Sequence, residues 1–453
     1  MIQTRTPKRL PVFFLFLLLS SLSAKAQISH PKIDSLINAY VAINKFNGSA
    51  LVVKDGKKIY EKSFGYRNAA NKSLNSASSI FPIGSLSKSF TALVVLKLAE
   101  EKKLAINDPI SNYIPDYPRG SEIQIRHLLS NSSGIYEIFR NPEYVKQLNT
   151  NTTFSREDLI AFFKEKPLDF EPGSQFSYSN SGFDLLGIII EKVTGLSYSE
   201  AASKYIFKPL KMNNSGFDFK NLKNANKVVQ YSFISKTRQV ETKPWNSSLN
   251  FSSGGLYSTT NDLLKFYQGL SSFKIVSRET FSQATTPFRG HYGYGWFIDQ
   301  IHGDRVINHG GNVEGATSYF LMIPEQKIGI ILLNNITSTS LEKIGNSMYA
   351  ALQNMPYSLP KPKKGIELTA TTLLKYTGTF EVSESYKVKI YEDAHRLFVQ
   401  VNDANGIPLS AEKEGVFFVN DDDIVLEFIS KDDKVVQLKI KQGLSTKVAD
   451  KVG

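Results

Sequence analysis

Apolar positions along the chain change their spacing several times, and each change marks a different kind of element. Over residues 31–45, Ile33, Leu36, Ile37, Tyr40 and Val41 recur at helical spacing and predict an amphipathic helix. Two β-rich runs, Ser49 to Lys54 and Lys58 to Tyr66, then flank Asp55-Gly56, a dipeptide that favours a hairpin turn. From about residue 85 to 285 the pattern is helical and loop-rich. Strand-like runs return at Gly293–Ile301, Asp304–Asn308, Thr317–Ile323 and Lys327–Asn334, and Ser340 to Asn354 reads as a closing helix. Sequential hairpins with helices at both ends predict an α+β domain, an antiparallel sheet beside a helical region with a cleft between them.

Beyond this the pattern alters again. Pro356, Pro360 and Pro362, interleaved with Lys361, Lys363 and Lys364, predict a stiff polar linker over 356–369. Short β-rich runs follow at Tyr376–Val382, Tyr386–Tyr391, Arg396–Val401, Val416–Val419, Ile424–Ile429 and Val435–Lys441, separated by turn signals such as Asp403-Ala404-Asn405-Gly406. Residues 370–453 are therefore expected to form a small all-β domain, a meander or barrel.

The N-terminus carries a different message. Arg5, Lys8 and Arg9 precede the apolar run Val12 to Leu19, and Ala24-Lys25-Ala26 is a small-residue cleavage pattern. That order predicts a secretory leader over residues 1–26 and a protein exported to the periplasm or beyond. The run is short for a membrane span, which needs about 20 apolar residues. The first domain is then expected over 27–355. The chain has no cysteine, which excludes disulfides, thiolate metal sites and cysteine nucleophiles together. Its formal charge of +12 could suggest an anionic polymer as partner. The lysines are instead dispersed among acids, so a solvated surface is expected and no nucleic acid.

Candidate chemistry begins with S-x-x-K. The pattern occurs six times, beginning at Ser29, Ser85, Ser271, Ser340, Ser358 and Ser410, and context selects one. Ser85 follows the turn Pro82-Ile83-Gly84 and heads an apolar run ending near Ala99. On a helix Ser85, Lys88, Ala92 and Leu96 share a face. Leu86, Phe90, Leu93, Val94 and Val95 fill most of the rest, which predicts a buried helix. A desolvated Lys88 loses basicity, and a neutral lysine one turn from a serine can accept the hydroxyl proton. Ser85 would also stand at a helix N-terminus, where N–H groups favour a developing oxyanion. The bland alternative is a helix cap and a snorkelling lysine. A second site is Tyr178-Ser179-Asn180-Ser181-Gly182 before the apolar helix Phe183 to Val193. There Tyr178 could relay a proton and Asn180 could bind a substrate amide or merely cap the helix. A third is His309-Gly310-Gly311-Asn312 after a strand, where paired glycines permit close approach by a ligand or make a strand-end turn.

Ser85-x-x-Lys88, Tyr178-x-Asn180 and His309-x-Gly311, in that order, resemble the three motifs of the serine β-lactamase and penicillin-binding-protein family, of the class C β-lactamase and D-alanyl-D-amino-acid peptidase type. The segments Arg126–Gly134, Gly254–Thr259 and Tyr292–Trp296 agree with it, and the resemblance covers about residues 30–355. It implies a five-stranded antiparallel sheet, an acyl-enzyme on Ser85, and proton transfer shared by Lys88 and Tyr178. It also implies an oxyanion hole from the backbone N–H groups of Ser85 and Asn312, with Asn180 on the substrate amide and His309 and Gly311 at the third motif. No metal or cofactor is implied. Many β-lactamases have lysine where this chain has His309, and Gly310 replaces a residue that often offers a hydroxyl. Both departures weaken carboxylate recognition. The expected substrates are D-amino-acid peptides or amides, cell-wall derived ones among them, and small esters.

Rival readings are weaker. There is no G-x-S-x-G elbow for an α/β-hydrolase and no H-E-x-x-H for a metallohydrolase. A catalytically quiet protein that captures penicillin or peptidoglycan peptides, and a true β-lactamase, remain the alternatives, separated by turnover of an ester or a β-lactam. The C-terminal domain offers no nucleophile–base pair and is expected either to restrict access to Ser85 or to stabilise the chain.

Overall fold

The computed structural model describes residues 30–235, 238–338, 341–360, 364–383, 386–402, 406–419, 424–442 and 445–452. The leader expected over 1–26, the serines Ser29 and Ser340 and the centre of the linker lie outside them.

Six strands form the first sheet: β1 (Gly48–Lys54), β2 (Lys57–Ser63), β3 (Phe297–Ile301), β4 (Asp304–Val313), β5 (Ala316–Ile323) and β6 (Ile328–Asn334). Their order is β3-β4-β5-β6-β1-β2, and every pairing is antiparallel. The six strand-like runs of the sequence all enter it, one more than the five implied by the resemblance. The first and last of these strands in the sequence meet inside it, where β1 pairs with β6 from Gly48↔Asn334 to Lys54↔Ile328.

Two helices, α1 (Pro31–Ala42) and α5 (Leu341–Leu352), cover one face. Between them in sequence run α2 (Ser87–Glu100), α3 (Asn180–Thr194) and α4 (Thr260–Ser271), which belong to the helical region on the other face. Strand alternation sorts the side chains. Ala50, Val52, Ile330 and Leu332 join the α1–α5 core, whereas Leu51, Val53, Ile331 and Leu333 join the helical core. Burial on both faces explains why β1 and β6 read as nearly unbroken apolar runs. Helix α2 is buried on most sides, as its composition predicts. The region expected to be helical and looped also holds short strands. Phe81–Pro82 pairs with Leu256–Ser258, and that pairing anchors the turn before Ser85.

The C-terminal region is all-β. A short helix, α6 (Ala370–Leu374), precedes nine strands: β7 (Gly378–Ser383), β8 (Tyr386–Asp393), β9 (Arg396–Val401), β10 (Ile407–Pro408), β11 (Ser410–Lys413), β12 (Val416–Phe418), β13 (Ile424–Lys431), β14 (Lys434–Gln442) and β15 (Ser445–Lys451). The sheet runs β10-β9-β8-β7-β15-β14-β13-β12-β11. Its two edge strands are consecutive in the chain, with only Leu409 between them, so the sheet curls nearly into a barrel. Leu373, Phe380, Val388, Phe417, Leu426 and Leu438 belong to a core of its own. Among the described residues no helix is long and apolar enough to cross a membrane.

Candidate active site

Ser85 lies on a 3-10 turn, Gly84–Leu86, that runs directly into α2. Close backbone approach holds this turn against β4. Gly84 has φ +51°, and a β-carbon there would stand 2.7 Å from the amide nitrogen of Asn312. At Gly311 a β-carbon would stand 1.8 Å from the carbonyl oxygen of Ile83. Neither position has room for a side chain. Ser318 on β5 completes the joint, its Oγ donating to that same carbonyl at 2.7 Å. The His309–Asn312 segment is thus strand, paired with β5 as far as Val313, and not the turn that its glycines also allowed. On its other side β3 pairs only as far as Asn308, which leaves that edge of residues 309–313 without a strand partner.

Lys88 is completely buried. Its Nζ donates to Asn180 Oδ1 at 2.7 Å and to the Ser253 carbonyl at 2.8 Å, and lies 3.2 Å from Ser85 Oγ. Burial pushes its pKa below the ordinary lysine value, while the charges of Asp184 and Glu137 pull it back up. Asp184 is buried as well, and burial raises its carboxyl. One of its oxygens accepts from the Ser253 amide at 3.0 Å and the other, Oδ2, has no hydrogen-bond partner. The Ser253 backbone therefore bridges the two, its carbonyl accepting from Lys88 and its N–H donating to Asp184.

Asn180 is the first residue of α3, and the cap is its neighbour: Ser179 Oγ accepts from the Gly182 amide at 3.1 Å. That frees the Asn180 side chain to face Lys88. Glu137 grips it, accepting from the Asn180 amide nitrogen at 2.6 Å and from Nδ2 at 2.7 Å. Tyr178 is placed by Asn131, whose carbonyl and side chain accept from the Ser177 and Ser179 amides at 2.9 and 3.1 Å. Its ring centroid is 4.8 Å from Lys88 Nζ, and Tyr178 lines the same cavity as Ser85. Burial raises the Tyr178 pKa, so the hydroxyl stays protonated at neutral pH.

His309 is almost completely buried. Its Nδ1 lies 2.6 Å from the Gly310 carbonyl, which can only accept, so Nδ1 carries the hydrogen. Its Nε2, 3.0 Å from Tyr292 Oη, is then left to accept. Burial foremost, and then the Lys88 charge, lower the imidazole pKa to about 3. His309 is thus a neutral ring packed behind Tyr178, with centroids 6.3 Å apart.

Ser85, Tyr178, His309, Gly311 and Asn312 share one cavity of about 420 Å³. A larger cavity of about 660 Å³ beside α4 contains none of these residues. All three motifs thus converge. Tyr292, in the Tyr292–Trp296 segment that agrees with the resemblance, belongs to the same network, as do Glu137, Asp184 and Ser253, which the sequence reading did not single out. Of those three, Asp184, one helical turn after Asn180 in an apolar stretch, left a signal that periodicity could have caught.

Comparison with known proteins gives a consistent result. The Beta-lactamase family model matches residues 33–354. Penicillin-binding protein 4* of Bacillus subtilis is 27% identical over 422 residues, covering 86% of this chain and 91% of that one. The octameric penicillin-binding protein homologue from Pyrococcus abyssi superposes with a TM-score of 0.64 at 29% identity, covering 92% of this chain and 99% of that one. A D-stereospecific amidohydrolase from Streptomyces sp. shares the fold, with a TM-score of 0.62 at 24% identity over 72% of this chain and 100% of its own.

Proposed function

The chain belongs to the Beta-lactamase family, and from that premise we propose that it is an exported serine hydrolase whose acyl-enzyme forms on Ser85. The observation that carries the reading is the hydrogen bonding of Lys88. A neutral amine has two N–H donors and one lone pair. Asn180 Oδ1 and the Ser253 carbonyl take the two donors, and the third direction meets Ser85 Oγ at 3.2 Å. Ser85 attacks the substrate carbonyl while its proton passes to Lys88. The oxyanion rests on the N–H groups of Ser85 and Asn312. As the bond to the leaving group breaks, that group takes a proton through the Tyr178 hydroxyl. Water then hydrolyses the acyl-enzyme by the reverse relay. Asn180, steadied by Glu137, is the contact for a substrate amide, and Gly311 keeps β4 close enough for Asn312 to serve.

The substrates proposed are D-amino-acid peptides or amides and small esters. The third motif has a neutral His309 and no hydroxyl at Gly310, a poor match for the carboxylate of a β-lactam. The D-stereospecific amidohydrolase with the same fold agrees with this choice. Export rests on the leader-like residues 1–26.

The test is covalent. Wild-type protein treated with a serine-directed phosphonate should gain one adduct by intact mass, and Ser85→Ala should gain none and hydrolyse no ester. Label retained by the Ser85→Ala protein would place the nucleophile elsewhere.

A further inference from the structure

We propose that Asp299, opposed by Glu342, makes the end of the cavity away from Ser85 a binding site for a positively charged group on the substrate. This rests on the reading of Ser85 as the nucleophile and specifies which acyl groups reach it.

The cavity beside Ser85 also contains Asp299 from β3 and Glu342 from α5, and among the described residues no lysine or arginine lines it. Asp299 is a fixed group. Its Oδ2 accepts from Asn308 Nδ2 at 2.7 Å, and Asn308 is itself only 6% exposed. Its Oδ1 lies 2.7 Å from His291 Nδ1. Each carboxylate oxygen has a further lone pair, and the side chain remains about one-third exposed, so an incoming cation can still bind. Both carboxylates share the cavity lining with Tyr319. After burial, the charges of Glu342 and Asp299 are what push the Tyr319 hydroxyl pKa up. The other titratable groups lining the space are His291, Tyr178 and His309, and the last is neutral.

Two features join this acidic end to the nucleophile. Phe297, two residues before Asp299 on β3, lies parallel to the Tyr178 ring with centroids 6.3 Å apart. It supplies an apolar wall between the reacting carbonyl and the carboxylate. Gly310 opens the floor. A β-carbon there would meet only the Ser318 carbonyl oxygen at 3.7 Å and Tyr319 Cδ2 at 3.8 Å, so space that a side chain could fill is left to substrate. A chain acylated on Ser85 can therefore run past Phe297 and Gly310 and present an ammonium to Asp299. A carboxylate at the same place meets two like charges and, among the described lining residues, no lysine or arginine.

Three matched p-nitrophenyl esters test this: hexanoate, 6-aminohexanoate and the monoester of adipate. The kcat/KM of the ammonium ester should exceed that of hexanoate by about tenfold, with adipate below both, a spread typical of one close charge contact near a surface. High salt should compress the spread. In Asp299→Asn the ratio of 6-aminohexanoate to hexanoate should fall to near one, and Asp299→Lys should favour adipate. Hexanoate in the same preparation is the internal reference for folding, and Glu342→Gln is a second variant expected to reduce the ratio. Equal rates for the three esters in the wild type, or a ratio unchanged in both carboxamide variants, would overturn the proposal while leaving Ser85 as nucleophile. If none of the esters acylates Ser85 by intact mass, the nucleophile reading and this proposal fall together.

Discussion

At the scale of single residues the site depends on charge states that burial sets. Lys88→Met and Tyr178→Phe are each expected to slow acylation by about 10²–10⁴, the usual loss for a positioned proton-transfer group, in proteins that remain folded by circular dichroism. Wild-type acylation rates from stopped-flow mixing would show a role misassigned. The pH profile is a finer test. Acylation needs the neutral amine, so its rate should rise with pH through a midpoint below the ordinary lysine value. Asp184 favours the protonated amine. Asp184→Asn should therefore move that midpoint to lower pH, and an unmoved or raised midpoint would remove Asp184 from the proton network. His309 adds no limb to the profile near neutrality, because its folded pKa is about 3.

At the scale of elements, the decisive contact is between the Ser85 turn and β4. Adjacent glycines in that strand differ sharply. Gly311→Ala drives a β-carbon into the Ile83 carbonyl, and Gly310→Ala meets nothing closer than 3.7 Å. Overpacking of this kind costs about 1–3 kcal/mol, so Gly311→Ala should lose stability in a denaturant titration and lose acylation as β4 moves from Ser85. Gly310→Ala should keep wild-type stability. Equal effects would mean that the strand and the turn are not in contact as described. The same contact explains a difference from the sequence reading. In the sequence the glycines of His309–Asn312 allow close approach by a ligand or a strand-end turn, and in the structure one of them, Gly311, lets a strand lie against a neighbouring backbone.

At the scale of the whole molecule, the cores are separate. Among the described residues, the buried members of the clusters around the first sheet end at Tyr349, with Leu352 and Tyr357 packed against them, and the C-terminal cluster begins at Leu373. A chain ending at Tyr357 is thus expected to unfold in one cooperative transition and to hydrolyse small esters. Loss of cooperative unfolding would show that the C-terminal region is needed for the first to fold. If the near-barrel restricts access to Ser85, the rate on longer peptides relative to small esters should change in the shortened chain. An unchanged ratio would leave it a structural role.

What could be read from sequence was whatever is encoded locally. Alternating and helical periods identified the sheet runs, the buried helix that follows Ser85 and the all-β C-terminal region, because side-chain period follows directly from backbone geometry. The ordered motifs around Ser85, Tyr178 and His309 identified the family, because each combines a chemical group with a local turn or helix start. Tertiary structure alone decided the rest. It brought Glu137 to Asn180, placed the Ser253 backbone between Lys88 and Asp184, and set Tyr292 on His309. It also turned Asp299 and Glu342 into the same cavity as Ser85. These pairs are separated by tens to hundreds of residues, and no periodic pattern encodes a hydrogen bond across such a distance. Their energetics depend on exclusion of water, a property of the assembled core that no short stretch of sequence possesses.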